Sequence, residues 1–159
     1  MPNTILLSGL YLPPIAYFHA IHKHDLSVKV DQHEHFQKQT FRNRTHIGTA
    51  NGVLELFVPI QHGRKEHRAM KDVQISYDHD WQRLHWMSIQ TAYRTSAYFE
   101  YYEDDFHALY NQKYKFLFDY NLQQLALIFK TLKIKRTIEL TDSFHKEYDD
   151  VLDMRNLIH

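Results

Sequence analysis

The spacing of apolar residues changes along the chain. It is contiguous at the start, interrupted by polar runs in the middle, and close to helical in the second half. The run "TILL" (Thr4–Leu7), closed by Ser8-Gly9, predicts a short buried strand. Pro13-Pro14 suits the first turn of a helix, where a missing N–H costs nothing. That helix carries Ile15, Phe18, His19 and His22 along one side and ends near His24-Asp25. The β-branched "LSVKV" (Leu26–Val30) predicts a second strand. A strand–helix–strand opening implies an α/β fold with a parallel core pair.

From Asp31 the pattern is polar and extended as far as "GTANG", where Asn51-Gly52 signals a turn. "VLELFVPI" (Val53–Ile60) and "KDVQIS" (Lys71–Ser76) predict further strands, joined by the basic loop "QHGRKEHRAMK". Asp78 or Asp80 then caps a helix bearing Trp81, Leu84, His85, Ser88, Ile89 and Ala92 at helical spacing. Two more helices fit "SAYFEYYEDDFHALYNQKY" and "KFLFDYNLQQLALIFKTL", and Arg136–Leu140 predicts a last strand. There is no internal repeat, linker or low-complexity tract. The expectation is one α/β domain over residues 1–159, with a mixed, partly parallel sheet and a mostly helical second half.

Composition changes this picture only at the margins. The chain is 43% hydrophobic and 24% charged, which fits a globular rather than a disordered protein. Its 19 basic and 19 acidic side chains cancel, against the basic excess expected of a nucleic-acid coat. No cysteine is present, so disulfides, Cys-ligated zinc and a cysteine nucleophile are excluded. The apolar N-terminus lacks a basic region and is broken by Pro13-Pro14, unlike a signal peptide. No apolar run reaches the roughly 18 residues of a membrane helix. A cytoplasmic protein is the expectation.

The chemistry concentrates in "DQHEHFQKQTFRNR" (Asp31–Arg44). If the second strand continues past Val30, period two places Asp31, His33 and His35 on one face, a workable metal shell. The alternative is a solvated sheet edge whose charges discourage pairing. Further on, Lys38, Thr40, Arg42 and Arg44 share a parity and would form a cationic strand face suited to phosphate or carboxylate. The alternative is a surface strand balanced by Glu55 or Asp72. The loop "SGLYLPP" follows the C-terminal end of the first strand, where open α/β sheets place ligands. His85 sits in an apolar helical stripe one turn after Trp81. It reads either as a general base in a partly dry pocket or as a core histidine bonded to backbone or a neighbouring tyrosine. Glu103, Asp104 and Asp105 would be splayed around a helix as a solvated face, and no serine sits on a nucleophile elbow.

Six ordered segments carry a resemblance: "LYLPPIAYF", "QHEHFQKQTFRNR", "VLELFVPI", "DWQRLHWMSIQTAYRTSAYFEYYEDDF", "YKFLFDYNLQQL" and "DMRNLIH". Together they cover most of the chain, which resembles the WbqC-like protein family. The resemblance places the family pattern on Tyr11, Leu12, Pro13, Tyr17, Phe18, Phe36, Lys38, Phe41, Asn43, Arg44, Trp81, His85, Trp86 and Tyr93. It implies a cytoplasmic step in lipopolysaccharide O-antigen or other surface-polysaccharide biosynthesis. The implied activity is transfer of an amino-acid or acyl group to a nucleotide-linked amino sugar. Relatives of this kind continue beyond "DMRNLIH", which implies a shortened member with apolar surface near the C-terminus.

Three readings follow. In the first, a group transferase grips a small-molecule or sugar-nucleotide ligand with Tyr11, Lys38, Arg42, Asn43, Arg44 and Trp81, and His85 serves as acid or base. The second is a non-catalytic binding or scaffold protein of the same pathway. The third is a metal-dependent hydrolase using Asp31, His33 and His35. No cofactor and no oligomeric state can be read from the sequence.

Overall fold

The elements run in the order β1 (Thr4–Ser8), α1 (Ile15–Lys23), β2 (Ser27–Asp31), β3 (Arg44–Thr49) and β4 (Gly52–Phe57). They continue with α2 (Trp81–Tyr93), α3 (Phe99–Asn111), α4 (Leu117–Thr131), β5 (Ile138–Leu140) and β6 (Val151–Asp153). The computed structural model describes residues 1–63 and 67–158. Residues 64–66 of the basic loop and His159 of the closing segment lie outside the described residues.

Ile5, Leu6 and Leu7 of β1 are fully buried, as a strand covered on both faces requires. β1 is central in a four-stranded sheet of order β5-β2-β1-β6, and all three pairings are parallel. The expected α/β architecture with a parallel core pair is present. The antiparallel pair β3–β4 does not join that sheet but forms a separate hairpin. Its turn is Ala50-Asn51, closed where Thr49 Oγ1 donates to the Gly52 carbonyl at 2.8 Å. Gly52 takes a φ of +112°, a conformation that favours glycine.

Several element-level expectations are corrected. The side of α1 that carries Ile15, His19 and His22 faces solvent, and its buried side is Tyr17, Ala20 and Ile21. β4 ends at Phe57, because Pro59 cannot donate to a ladder; Ile60 makes only an isolated bridge to Ile75. Lys71–Ser76 is not a strand: a 3-10 turn (Met70–Asp72) leads into isolated bridges at Gln74 and Ile75. Asp80 occupies the N-cap position of α2 without a capping bond and pairs with Arg83 instead. Leu84 points outward, and Gln82 and Trp86 join Trp81 and His85 inside. Arg136–Leu140 contributes β5, but the last strand is β6, on the far side of β1.

One hydrophobic cluster runs from Ile5 to Ile158 and takes side chains from both sheets and all four helices. Among the described residues no helix is long and apolar enough to cross a membrane.

Candidate functional site

The C-terminal ends of parallel strands are where open α/β sheets hold ligands, but here the protein's own charges fill that edge. β2 stops at Asp31, whose Oδ1 accepts from the His33 and Glu34 amides at 2.9 and 3.1 Å and from Thr141 Oγ1 at 2.8 Å. Its Oδ2 accepts from Arg155 Nη1 at 2.6 Å. Arg155 also grips Asp153 and donates to the carbonyls of His145 and Lys146. The chain turns after Asp31, so Asp31, His33 and His35 share no strand face. Both Asp31 oxygens are occupied, and His35 is exposed, stacked 5.1 Å from Phe144 and 5.5 Å from His67. Among the described residues no group of three or more acidic or histidine side chains is placed to hold a metal. The metal set read from the sequence is not assembled.

The cationic face is not assembled either. Residues 38–43 form turns, with Gln39 at a φ of +60°, so period two does not apply there. Lys38 is exposed, whereas Arg42 is fully buried and points inward. Arg42 holds Glu34 through Nε at 3.1 Å and Nη2 at 2.7 Å, and also donates to Ser8 Oγ and Thr40 Oγ1. Burial raises the Glu34 carboxyl above its ordinary value, and the bonds from Arg42 and Ser8 offset part of that effect. Asn43 is buried and donates to the Val58 carbonyl at 3.0 Å. Arg44 alone reaches the outer face of the hairpin, where Nη1 pairs with Glu55 at 3.3 Å.

Tyr11, Trp81 and His85 do come together. Tyr11 OH lies 2.8 Å from His85 Nδ1 and 2.9 Å from Tyr110 OH. Trp81 meets the His85 ring edge-on at 5.1 Å and donates its indole N–H to the Ser76 carbonyl. Burial lowers the His85 imidazole to about 4, and the nearby Phe57 carbonyl offsets part of that shift. Nδ1 and the Tyr11 hydroxyl share one hydrogen bond, whose direction follows the imidazole tautomer. Burial also pushes the Tyr11, Tyr110 and Tyr120 phenols up. All four groups are neutral at ordinary pH and closed off from solvent. This is the core-histidine arrangement; His85 and Arg44 do not open into one cleft.

The sequence reading missed the two amides of α4 that organise this region. Asn121 Nδ2 donates to the carbonyls of Gly9 (3.1 Å) and Arg42 (2.8 Å). Gln124 Oε1 accepts from the Leu12 amide at 3.3 Å. Their signal was present: two polar residues at i, i+3 spacing within the apolar stripe of Leu117, Phe118 and Leu125.

These bonds bring the loop after β1 against the segment before β3. The Tyr11 amide donates to the Phe41 carbonyl at 2.8 Å, and Thr45 Oγ1 to the Leu12 carbonyl at 3.0 Å. Leu12 is held at a φ of +41°, which is strained for a side chain of this size. Over this junction opens a groove of about 400 Å³. Leu12, Pro13, Pro14 and Ile15 form one wall; Phe41, Thr45, His46 and Ile47 form another; Ile89, Tyr93 and Phe106 close it from α2 and α3. That volume suits a small molecule. Leu12, Pro13, Phe41 and Tyr93 are also positions on which the family resemblance rests. At the rim, His46 Nε2 lies 3.5 Å from Glu55 Oε2, leaving an accessible imidazole backed by a carboxylate.

A model of the WbqC-like protein family matches residues 9–158. An uncharacterised protein of Mycobacterium tuberculosis is 27% identical over 99 residues, covering 62% of this chain. The chain spans only 42% of that relative's length. No solved structure matches the chain.

Proposed function

The chain belongs to the WbqC-like protein family, and from that premise we propose a group transferase of lipopolysaccharide O-antigen or other surface-polysaccharide biosynthesis. Its substrate class is a nucleotide-linked amino sugar that receives an amino-acid or acyl group. The carrying observation is the apolar groove with His46 on its rim, backed by Glu55. An acyl or aminoacyl side chain is an apolar body that fits walls of proline, leucine and phenylalanine. An imidazole at the rim can take the proton from an amine as its nitrogen attacks the acyl carbonyl and return it to the donor's thiol or alcohol as the acyl–donor bond breaks, while a neighbouring carboxylate steadies the charged ring. His46 takes the acid–base role in place of the enclosed His85. Tyr11, Asn43 and Trp81 then shape the site from behind rather than touch the ligand, and Arg42 holds the loop after β1 through Ser8.

The second reading, a non-catalytic binding protein of the same pathway, is favoured by the enclosure of His85 and Arg42. One experiment separates the two. The protein is incubated with acyl-coenzyme A or aminoacyl donors and a panel of uridine- and thymidine-diphosphate amino sugars, and products are read by mass spectrometry. Transfer that falls at least about a hundredfold in His46→Asn, with ligand-induced thermal stabilisation retained, supports the transferase. Stabilisation without transfer supports the binding reading, and neither response sinks both.

A further inference from the structure

We propose that the ligand of the groove is an amphipathic anion, and that Arg44 holds its phosphate or carboxylate head while the groove takes its apolar body. The inference rests on the groove being the binding site and names what that site selects. Arg44 and His46 are two residues apart on β3 and so project from the same face of the hairpin, with Phe57 and Glu55 opposite them on β4. His46 lines the groove, and the Cα of Arg44 lies two residues, about 7 Å, along the same strand face, just outside the groove's own lining.

Four features describe Arg44, and three of them show a cation incompletely matched by its own fold. The pair with Glu55 uses only Nη1, at 3.3 and 3.5 Å, in contrast to the two-nitrogen grip of Arg42 on Glu34. Arg44 Nε is buried and has no hydrogen-bond partner among the described residues, a state that costs free energy until an acceptor arrives. The Phe57 ring lies 5.2 Å from the guanidinium carbon and steadies the plane of the fork. Glu55 is also shared with His46, so its hold on Arg44 is divided. A phosphate with several acceptor oxygens pairs with Nη2 directly and with Nε once the side chain turns that buried edge outward, a two-nitrogen geometry that arginine offers and lysine does not.

Among the described residues, the other cations of the Asp31–Arg44 segment are placed elsewhere. Arg42 is buried against Glu34, and Lys38 lies in a separate turn. A ligand without negative charge gains only the groove; an anion without an apolar part gains only Arg44.

The test uses the full chain, 15N-labelled, titrated with octyl phosphate and with octanol while amide shifts of Ile47 and Ile89 are followed. Octyl phosphate is expected to bind at least about tenfold more tightly than octanol, the factor one charge-assisted contact supplies. Arg44→Met is expected to erase that preference without changing octanol binding. Glu55→Gln, which removes the competing carboxylate, is expected to tighten octyl phosphate several-fold. Equal binding of the two probes to the wild-type chain, or a preference that survives Arg44→Met, overturns the assignment and leaves the groove intact. Failure of both probes to shift Ile47 or Ile89 overturns the groove itself.

Discussion

Asp31 and Arg155 stand 124 positions apart in the chain and meet at 2.6 Å, both almost fully buried. The contact ties the end of β2 to the segment after β6, and so closes the sheet across β1. Arg155→Met leaves the Asp31 carboxylate buried without its charge partner, which is expected to cost about 3–5 kcal/mol. Urea unfolding would show it as a lower midpoint at unchanged slope. The double variant Asp31→Asn with Arg155→Met is expected to recover part of the loss, since no unpaired charge then remains.

Gly9 is constrained by space. A Cβ there would lie 2.7 Å from Phe118 Cε2 and 2.8 Å from Cδ2, and the Phe118 ring is itself buried. Gly9→Ala is therefore expected to destabilise by about 1–3 kcal/mol. Adding Phe118→Leu should relieve the clash, so the double variant is expected to lose less than the two single losses summed. Strict additivity would show that the two sites do not press on one another.

His85 makes stability depend on pH with a defined sign. Its folded value is lowered to about 4, whereas the unfolded chain takes up this proton near pH 6.5. Between these values the unfolded state binds more protons, so stability rises with pH. The contribution is fully present above about pH 6.5 and is lost as pH falls toward 4, by about 3 kcal/mol. Glu34 acts in the opposite direction, because its raised folded value is lost as a stabilising influence when pH rises through it. Unfolding free energies from pH 4 to 7 are expected to have a shallower slope in His85→Gln than in the wild type; parallel slopes would contradict the assignment.

Arg42→Lys tests the geometry of the second buried pair. A lysine keeps the charge but reaches only part of the set formed by Glu34, Ser8 and Thr40. A loss of about 2–3 kcal/mol is expected in chemical unfolding. Stability equal to the wild type would mean that charge alone, not the fork, holds Glu34.

Much of the framework was legible. The strand–helix–strand opening, the hairpin turn near Gly52 and the three later helices follow from local patterning, which acts over a few residues. The hexapeptide "KDVQIS" failed for the same reason. Its alternation is compatible with a strand, but the backbone partners near it support only isolated bridges. β6 was missed because its three residues become a strand only through β1.

The candidate site was less legible. The reactive-looking residues Asp31, Arg42 and His85 were identified, yet the partners of Asp31 and His85 lie far off in sequence, Arg155 by 124 positions and Tyr11 by 74, and Arg42, paired with Glu34 only eight positions away, also reaches Ser8 34 positions back. Period two applied to residues 38–44 presumed a strand where the chain turns, so it placed three cations on one face that the fold sends in three directions. Residue types and spacing by themselves determined the elements, the α/β class and which side chains are capable of chemistry. Only the tertiary structure decided which of those side chains are consumed by the core and which remain at the rim. A buried charge must find an opposite charge or a hydrogen bond to offset its lost hydration, and where that partner comes from is set by long-range packing, not by neighbours in the chain.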